Sequence, residues 1–241
     1  MSTPLWTRRT FLGSTLAVGA LGGPSARAAP VDPSWIEARP LPNDDLRQAL
    51  TREYLAAHLP AGHAHDPQAV DMTPRAIVLH WTGTGSAKGA WHTFAPATLG
   101  GRPELRGAGA VNVSAHFIVD RAGVCWRLLP DTRVARHVIG MNHCAIGVEN
   151  AADGPLGGST KAGLTQAQVD RNVALVRLLV ERHPTITWLL GHHEYRRMEG
   201  TPEFAERDAS YRTTKRDPGD AFMAAVRGEV AGLGLKAPPV G

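Results

Sequence analysis

Short apolar runs along this chain alternate with segments whose apolar residues recur every three or four positions. The run Ala76-Ile77-Val78-Leu79 is too short for an ordinary helix and reads as a buried strand delivering His80 at its end. Ala145-Ile146-Gly147-Val148 reads the same way and delivers Glu149, and Ile186 to Leu190 delivers Gly191-His192. Val111 to Val119 and Val124 to Leu129 read as two strands, with Asp120-Arg121-Ala122-Gly123 as the hairpin turn between them.

The helical period is clearest after Thr165. Thr165 and Gln168 have the spacing of a capping box. Val169, Val173, Val176 and Val180 follow at helical spacing, widened by Leu175, Leu178 and Leu179, and His183-Pro184 ends the pattern. Asn43 is placed to cap an earlier helix through Leu46, Leu50, Tyr54 and Leu55, stopped by Pro60. Ser86 to Thr98 and about Asp220 to Val230 are further helices, and Pro30 to Pro42 is an extended, proline-rich surface arm. Strands and helices interleave, which predicts an α/β class: a single domain with a central mixed sheet flanked by helices.

Composition narrows the setting. With 241 residues, 43% hydrophobic and 20% charged, the chain suits one globular domain. Thr7-Arg8-Arg9-Thr10-Phe11-Leu12, a small-residue apolar stretch to Gly23 and Ser25-Ala26-Arg27-Ala28-Ala29 have the layout of a signal peptide. The paired arginines resemble a twin-arginine signal, which implies export of a folded protein to the periplasm, with cleavage after Ala28 and Ala29 as the alternative site; an ordinary secretory signal or a retained anchor is the rival reading. Losing Arg8, Arg9 and Arg27, with no acid before Ala29, lowers the formal charge from +4 to +1. So nearly neutral a mature domain gives no electrostatic case for nucleic acid. No later apolar run is long enough to span a bilayer. The two cysteines, Cys125 and Cys144, are too few for a disulfide scaffold and read as buried thiols, with one bridge as the alternative.

The strand ends carry the chemistry: His80, Glu149 and His192, with Asp217 further on. Sites on α/β sheets form just beyond strand ends. Two imidazoles and a carboxylate can hold one Zn²⁺ ion and leave a fourth position for water, whose pKa the ion lowers. A separate carboxylate can take the proton, and a lysine can face the oxyanion. Lys215 stands two residues before Asp217, on the same side if that stretch is extended. Spacing alone does not single these out among eleven histidines, and His193 competes with His192. His116, between Ala115 and Phe117, reads as a buried, hydrogen-bonded histidine. Nothing pairs with His143 and Cys144 at a standard metal spacing, His63 and His65 sit in a polar loop, and Trp81, Trp91 and Trp126 default to the core, with stacking on sugars as the alternative.

Five ordered blocks add specificity. Ile77-Val78-Leu79-His80-Trp81-Thr82, Val113-Ser114-Ala115-His116-Phe117-Ile118-Val119 with Asp120-Arg121-Ala122-Gly123, Ala145-Ile146-Gly147-Val148-Glu149-Asn150, Gly191-His192, and Lys215-Arg216-Asp217-Pro218-Gly219 together resemble the type 2 N-acetylmuramoyl-L-alanine amidases. This superfamily includes AmpD-like amidases, phage amidase lysozymes and peptidoglycan recognition proteins. The resemblance implies zinc ligands His80, His192 and Asp217, Glu149 as general base and Lys215 beside the tetrahedral intermediate. It implies a hydrolase that cuts the lactyl amide between N-acetylmuramic acid and L-alanine in peptidoglycan or muropeptides. His137, Asn150 and Tyr195 are expected at the substrate, with Glu194, Arg212 and Thr213 shaping the surroundings. Asp217, Ala115 and Glu149 together resemble the AmpD-like branch. The stretch from Tyr195 to Thr214 is longer than the family's usual link, and His137 to Cys144 is shorter. The expected division is signal peptide 1–28, arm and helix 29–74, amidase domain 75–234 and tail 235–241. Rival readings are a peptidoglycan-binding module without catalysis and a zinc hydrolase of another amide bond.

Overall fold

A computed structural model describes residues 32–240, so the expected signal peptide and its cleavage site lie outside the described residues. From Pro33 onward the chain makes one domain around a six-stranded sheet in the order β1-β4-β3-β5-β2-β6. The strands are β1 (Ile36–Ala38), β2 (Ala76–Trp81), β3 (Phe117–Val119), β4 (Cys125–Arg127), β5 (Ala145–Asn150) and β6 (Trp188–Gly191). Only β3 and β4 pair antiparallel; the other four pairings are parallel, giving the expected mixed sheet. The helices are α1 (Asp45–His58), α2 (Ala87–Phe94), α3 (Pro103–Arg106), α4 (Gln166–Arg182) and α5 (Asp220–Glu229).

Strand alternation sorts the core into two faces. Ile77 and Leu79 of β2, Ile146 and Val148 of β5 and Leu189 of β6 meet Val169, Val173, Val176 and Leu179 of α4 and Phe222, Met223 and Val226 of α5. Ala76, Val78, Ala145 and Leu190 turn the other way, against Tyr54, Met141, Tyr195 and Met198. Each fully buried Val or Leu is worth roughly 1.5–3 kcal/mol, so the central strands are pinned from both sides. This explains their continuous apolar runs.

Several boundaries differ from expectation for local reasons. The cap of α1 is Asp44, not Asn43: its carboxylate accepts from Arg47 N–H at 2.8 Å. Helix α2 stops at Phe94, before Pro96, and the buried Arg47 guanidinium collects the carbonyls of Phe94, Ala95 and Pro96 at 2.8–2.9 Å. The expected strand from Val111 pairs in the sheet only over Phe117–Val119. Upstream, Asn112 is drawn away to Thr93 O and Pro96 O. The proline-rich arm is not wholly a surface segment, because Ile36 is buried and β1 adds a parallel edge strand to β4. The capping box at Thr165 and Gln168 forms, and α4 ends at the residue before His183-Pro184. Cys125 and Cys144 are both buried and not bridged.

Candidate metal centre and cleft

The same alternation builds the site. His80 continues the Val78 face of β2, and its Cα partner on β5 is Glu149. Leu79 pairs with Gly191 of β6, so the next residue, His192, emerges level with His80. Asp217 comes from the loop before α5. All three of His80, His192 and Asp217 are buried, and their donor atoms converge. His80 Nδ1 and His192 Nδ1 lie 2.9 Å apart, His192 Nδ1 lies 3.0 Å from Asp217 Oδ2, and His80 Nδ1 lies 3.4 Å from the same oxygen. Tetrahedral Zn²⁺ with ligand bonds near 2.0–2.1 Å separates its donors by about 3.3 Å. The donor set and its spacing therefore fit such an ion. Among the described residues this is the cluster of three or more such side chains able to hold a metal.

His193 faces the opposite way. Its Nε2 lies 2.9 Å from Asp220 Oδ1 and its Nδ1 lies 3.1 Å from Asp217 O. It steadies the backbone of Asp217, and its own N–H donates to that carbonyl at 2.8 Å. Burial holds the His192 imidazole down at about 4, so at neutral pH it offers a lone pair. Burial alone would raise Asp217, but contact with His192 and His80 outweighs it and keeps the carboxyl well below the usual range.

Glu149 sits beside this cluster with one carboxyl oxygen, Oε2, sealed from solvent and without a hydrogen-bond partner. Burial pushes its pKa up to about 7; Asp217 adds to the rise, while His80, Arg102 and Lys215 oppose it. A carboxyl poised near neutrality is suited to taking and returning a proton. Lys215 lines the same cleft of about 280 Å³, as do Trp81, Arg102, Ser114, His137 and Thr213.

Not every expected residue reaches that cleft. Asn150 is fully buried on the α4 face: its Nδ2 donates to His80 O at 3.0 Å, and its Oδ1 accepts from Asn172 at 2.7 Å. Tyr195 is buried too, with its hydroxyl donating to Thr213 O at 2.7 Å and accepting from Thr213 N–H at 2.8 Å. Neither lines the cleft. His137 lines the cleft, but both ring nitrogens are engaged within the protein. Glu194 is buried against Gly191 N–H and Arg227, and Arg212 pairs with Glu199. Of the long stretch after Tyr195, Tyr211 and Thr213 reach the cleft, while Ala205 and Arg207 bond to Gly140 O and His58 O. His116 is fully buried, as expected, with Nε2 2.7 Å from Arg133 O and Nδ1 accepting from Gly147 N–H at 2.9 Å.

Arg102 is a cleft residue that the periodicity did not reveal. Its backbone is left-handed, at φ 60°, where side chains rarely sit. The Gly100-Gly101 pair before it and Pro103 after it were the available signal.

No curated protein matches the chain. Among solved structures it is similar to a selenomethionine derivative of AmpD, at 20% identity and TM-score 0.48, covering 81% of this chain and 94% of that one. It is similar to the amidase LysC of Clostridium intestinale URNW, at 20% identity and TM-score 0.45, covering 70% and 90%. It is also similar to AmiD of E. coli, solved with anhydro-N-acetylmuramic acid-L-Ala-D-gamma-Glu-L-Lys, at 17% identity and TM-score 0.45, covering 76% and 67%. The N-acetylmuramoyl-L-alanine amidase family (Amidase_2) matches residues 70–220, more than half of the chain and every residue of the donor cluster, and the chain belongs to that family of type 2 amidases.

Proposed function

We propose that this chain is a zinc-dependent N-acetylmuramoyl-L-alanine amidase, hydrolysing the lactyl amide between N-acetylmuramic acid and L-alanine. The observation that carries the reading is the convergence of His80, His192 and Asp217 beside the buried, unpartnered Oε2 of Glu149. His80, His192 and Asp217 would hold the ion. Zinc, when bound there, supplies a Lewis acid for the amide carbonyl and makes a water more acidic. Glu149 takes a proton from the attacking water and passes it to the L-alanine nitrogen as the C–N bond breaks. Lys215 faces the oxygen on which negative charge develops. The products are a muramic acid carboxylate and a stem peptide with a free L-alanine amine.

Export fits this substrate, because peptidoglycan lies outside the inner membrane. Residues 1–28 are proposed as the twin-arginine signal, 29–74 as the arm and first helix, 75–234 as the catalytic domain and 235–241 as the tail. No helix among the described residues is long and apolar enough to cross a membrane.

Mass spectrometry of purified muropeptides incubated with the zinc-loaded protein, beside a chelated control, tests the reading. Release of free stem peptide only with metal supports it. Cleavage at a stem-peptide bond would reassign the protein to another amide hydrolysis, and intact muropeptides in both samples would favour a binding module.

A further inference from the structure

The ring of His137 is fixed from several sides. Its backbone N–H donates to Asn142 Oδ1 at 2.8 Å. Its Nε2 lies 3.0 Å from Ala145 O, and its Nδ1 lies 3.1 Å from His80 Nε2. The ring also rests on Gly147 of β5, where an added Cβ would come within 2.7 Å of His137 Cγ. Glycine is what makes room for the imidazole there.

These contacts determine the protons. A backbone carbonyl only accepts, so Nε2 of His137 carries the hydrogen that Ala145 O receives. In the neutral ring, Nδ1 is then an acceptor, and His80 must donate to it from Nε2. With that hydrogen on Nε2, the His80 nitrogen that can offer a lone pair to a metal is Nδ1. That is the atom 2.9 Å from His192 Nδ1 and 3.4 Å from Asp217 Oδ2.

We propose that His137 is a positioning residue: anchored on Ala145 O and seated on Gly147, it locks His80 in the tautomer and orientation that present Nδ1 to the metal. The inference rests on the metal-site reading above. A substrate could bond its ring nitrogens only by releasing His80 or Ala145. A partner on the far nitrogen of a metal-binding histidine fixes the ring and raises its basicity, and its loss typically weakens metal binding about 10–100-fold.

The test uses the full mature protein and zinc itself. Competition against a chromogenic chelator should show zinc held about 10–100-fold more weakly by His137→Phe, which keeps a ring but loses the acceptor. His137→Asn keeps an acceptor on Cγ and should recover most of the affinity, which a merely space-filling role would not produce. Gly147→Ala should behave like His137→Phe, because its methyl displaces the ring. Long-range proton–nitrogen correlation on nitrogen-15 histidine should find the His80 proton on Nε2 in zinc-loaded wild type, a reading that does not depend on any variant folding. Unchanged zinc affinity in His137→Phe, or a His80 proton on Nδ1, would overturn this inference while leaving the metal site standing. A wild-type chain that takes up no zinc would overturn the metal-site reading, and this inference with it.

Discussion

His80 and Glu149 are Cα partners across the parallel pairing of β2 with β5, and their side chains share the cleft face of the sheet. Neighbouring strands lie about 4.8 Å apart, so this register alone holds a carboxyl beside a donor histidine. His80 enters the cluster of donors, while Oε2 of Glu149 stays without a hydrogen-bond partner.

Replacing Glu149 by glutamine should therefore separate chemistry from binding. Muropeptide turnover is expected to fall about 10²–10⁴-fold. Zinc content, measured by atomic emission, should match wild type. Thermal stability of the metal-free protein should hold or rise, because the amide carries no charge for burial to disfavour. Wild-type turnover in this variant would remove Glu149 from the mechanism.

Zinc should stabilise the fold by mass action. At a free concentration of 100 times Kd the gain is about 2.7 kcal/mol, read as a rise in melting temperature when zinc is restored to chelated protein. Asp217→Ala and His192→Ala should show little rise, whereas His193→Ala should respond, because His193 points to Asp220. A full response in Asp217→Ala would show that the ion binds elsewhere.

Acid should destabilise the protein through buried neutral histidines. Burial lowers His116 to about 4, and burial with His63, His65 and Arg75 nearby lowers His143 to about 3. The unfolded chain binds these protons near pH 6.5, while the folded chain refuses them until about pH 4 or 3. Stability is therefore full above pH 6.5 and declines as the pH falls toward 4, by roughly 3 kcal/mol for His116 alone. Urea unfolding at several pH values should show this slope, and it should be shallower in His116→Gln. Identical slopes would assign the acid sensitivity to other groups.

Tyr195→Phe should cost about 1 kcal/mol, because the partly buried N–H and carbonyl of Thr213 both lose their partner. Thr213 is two residues from Lys215, so kcat should fall as that stretch loosens, with the cleaved bond unchanged. Unaltered stability would mean that water replaces the hydroxyl.

Much of the fold was legible because the central strands and α4 are buried along long, regular patterns. Ala76 to Leu79 and Ala145 to Val148 are apolar on both faces and form β2 and β5. Strand β1 was not legible: three residues between prolines carry no period, and only pairing with β4 makes them a strand. The cap of α1 was one residue off, because Asn43 and Asp44 are both competent caps and the approach of Arg47 N–H selects Asp44.

The sequence by itself determined which chemical groups this protein carries and where its strands deliver them, because burial forces alternation and alternation needs only local order. It even contained a signal that Glu149 and Asn150, as neighbours on one strand, must face opposite ways. Tertiary structure decided which groups meet. Asp217 joins His80 and His192 only through the fold of the loop before α5, and His193 is excluded by the face on which it emerges. The anchoring of His137 between Ala145 and His80, above a glycine, depends on atoms brought together from separate stretches of chain. Donor distances of 2.9–3.4 Å belong to three-dimensional packing, and no one-dimensional spacing encodes them.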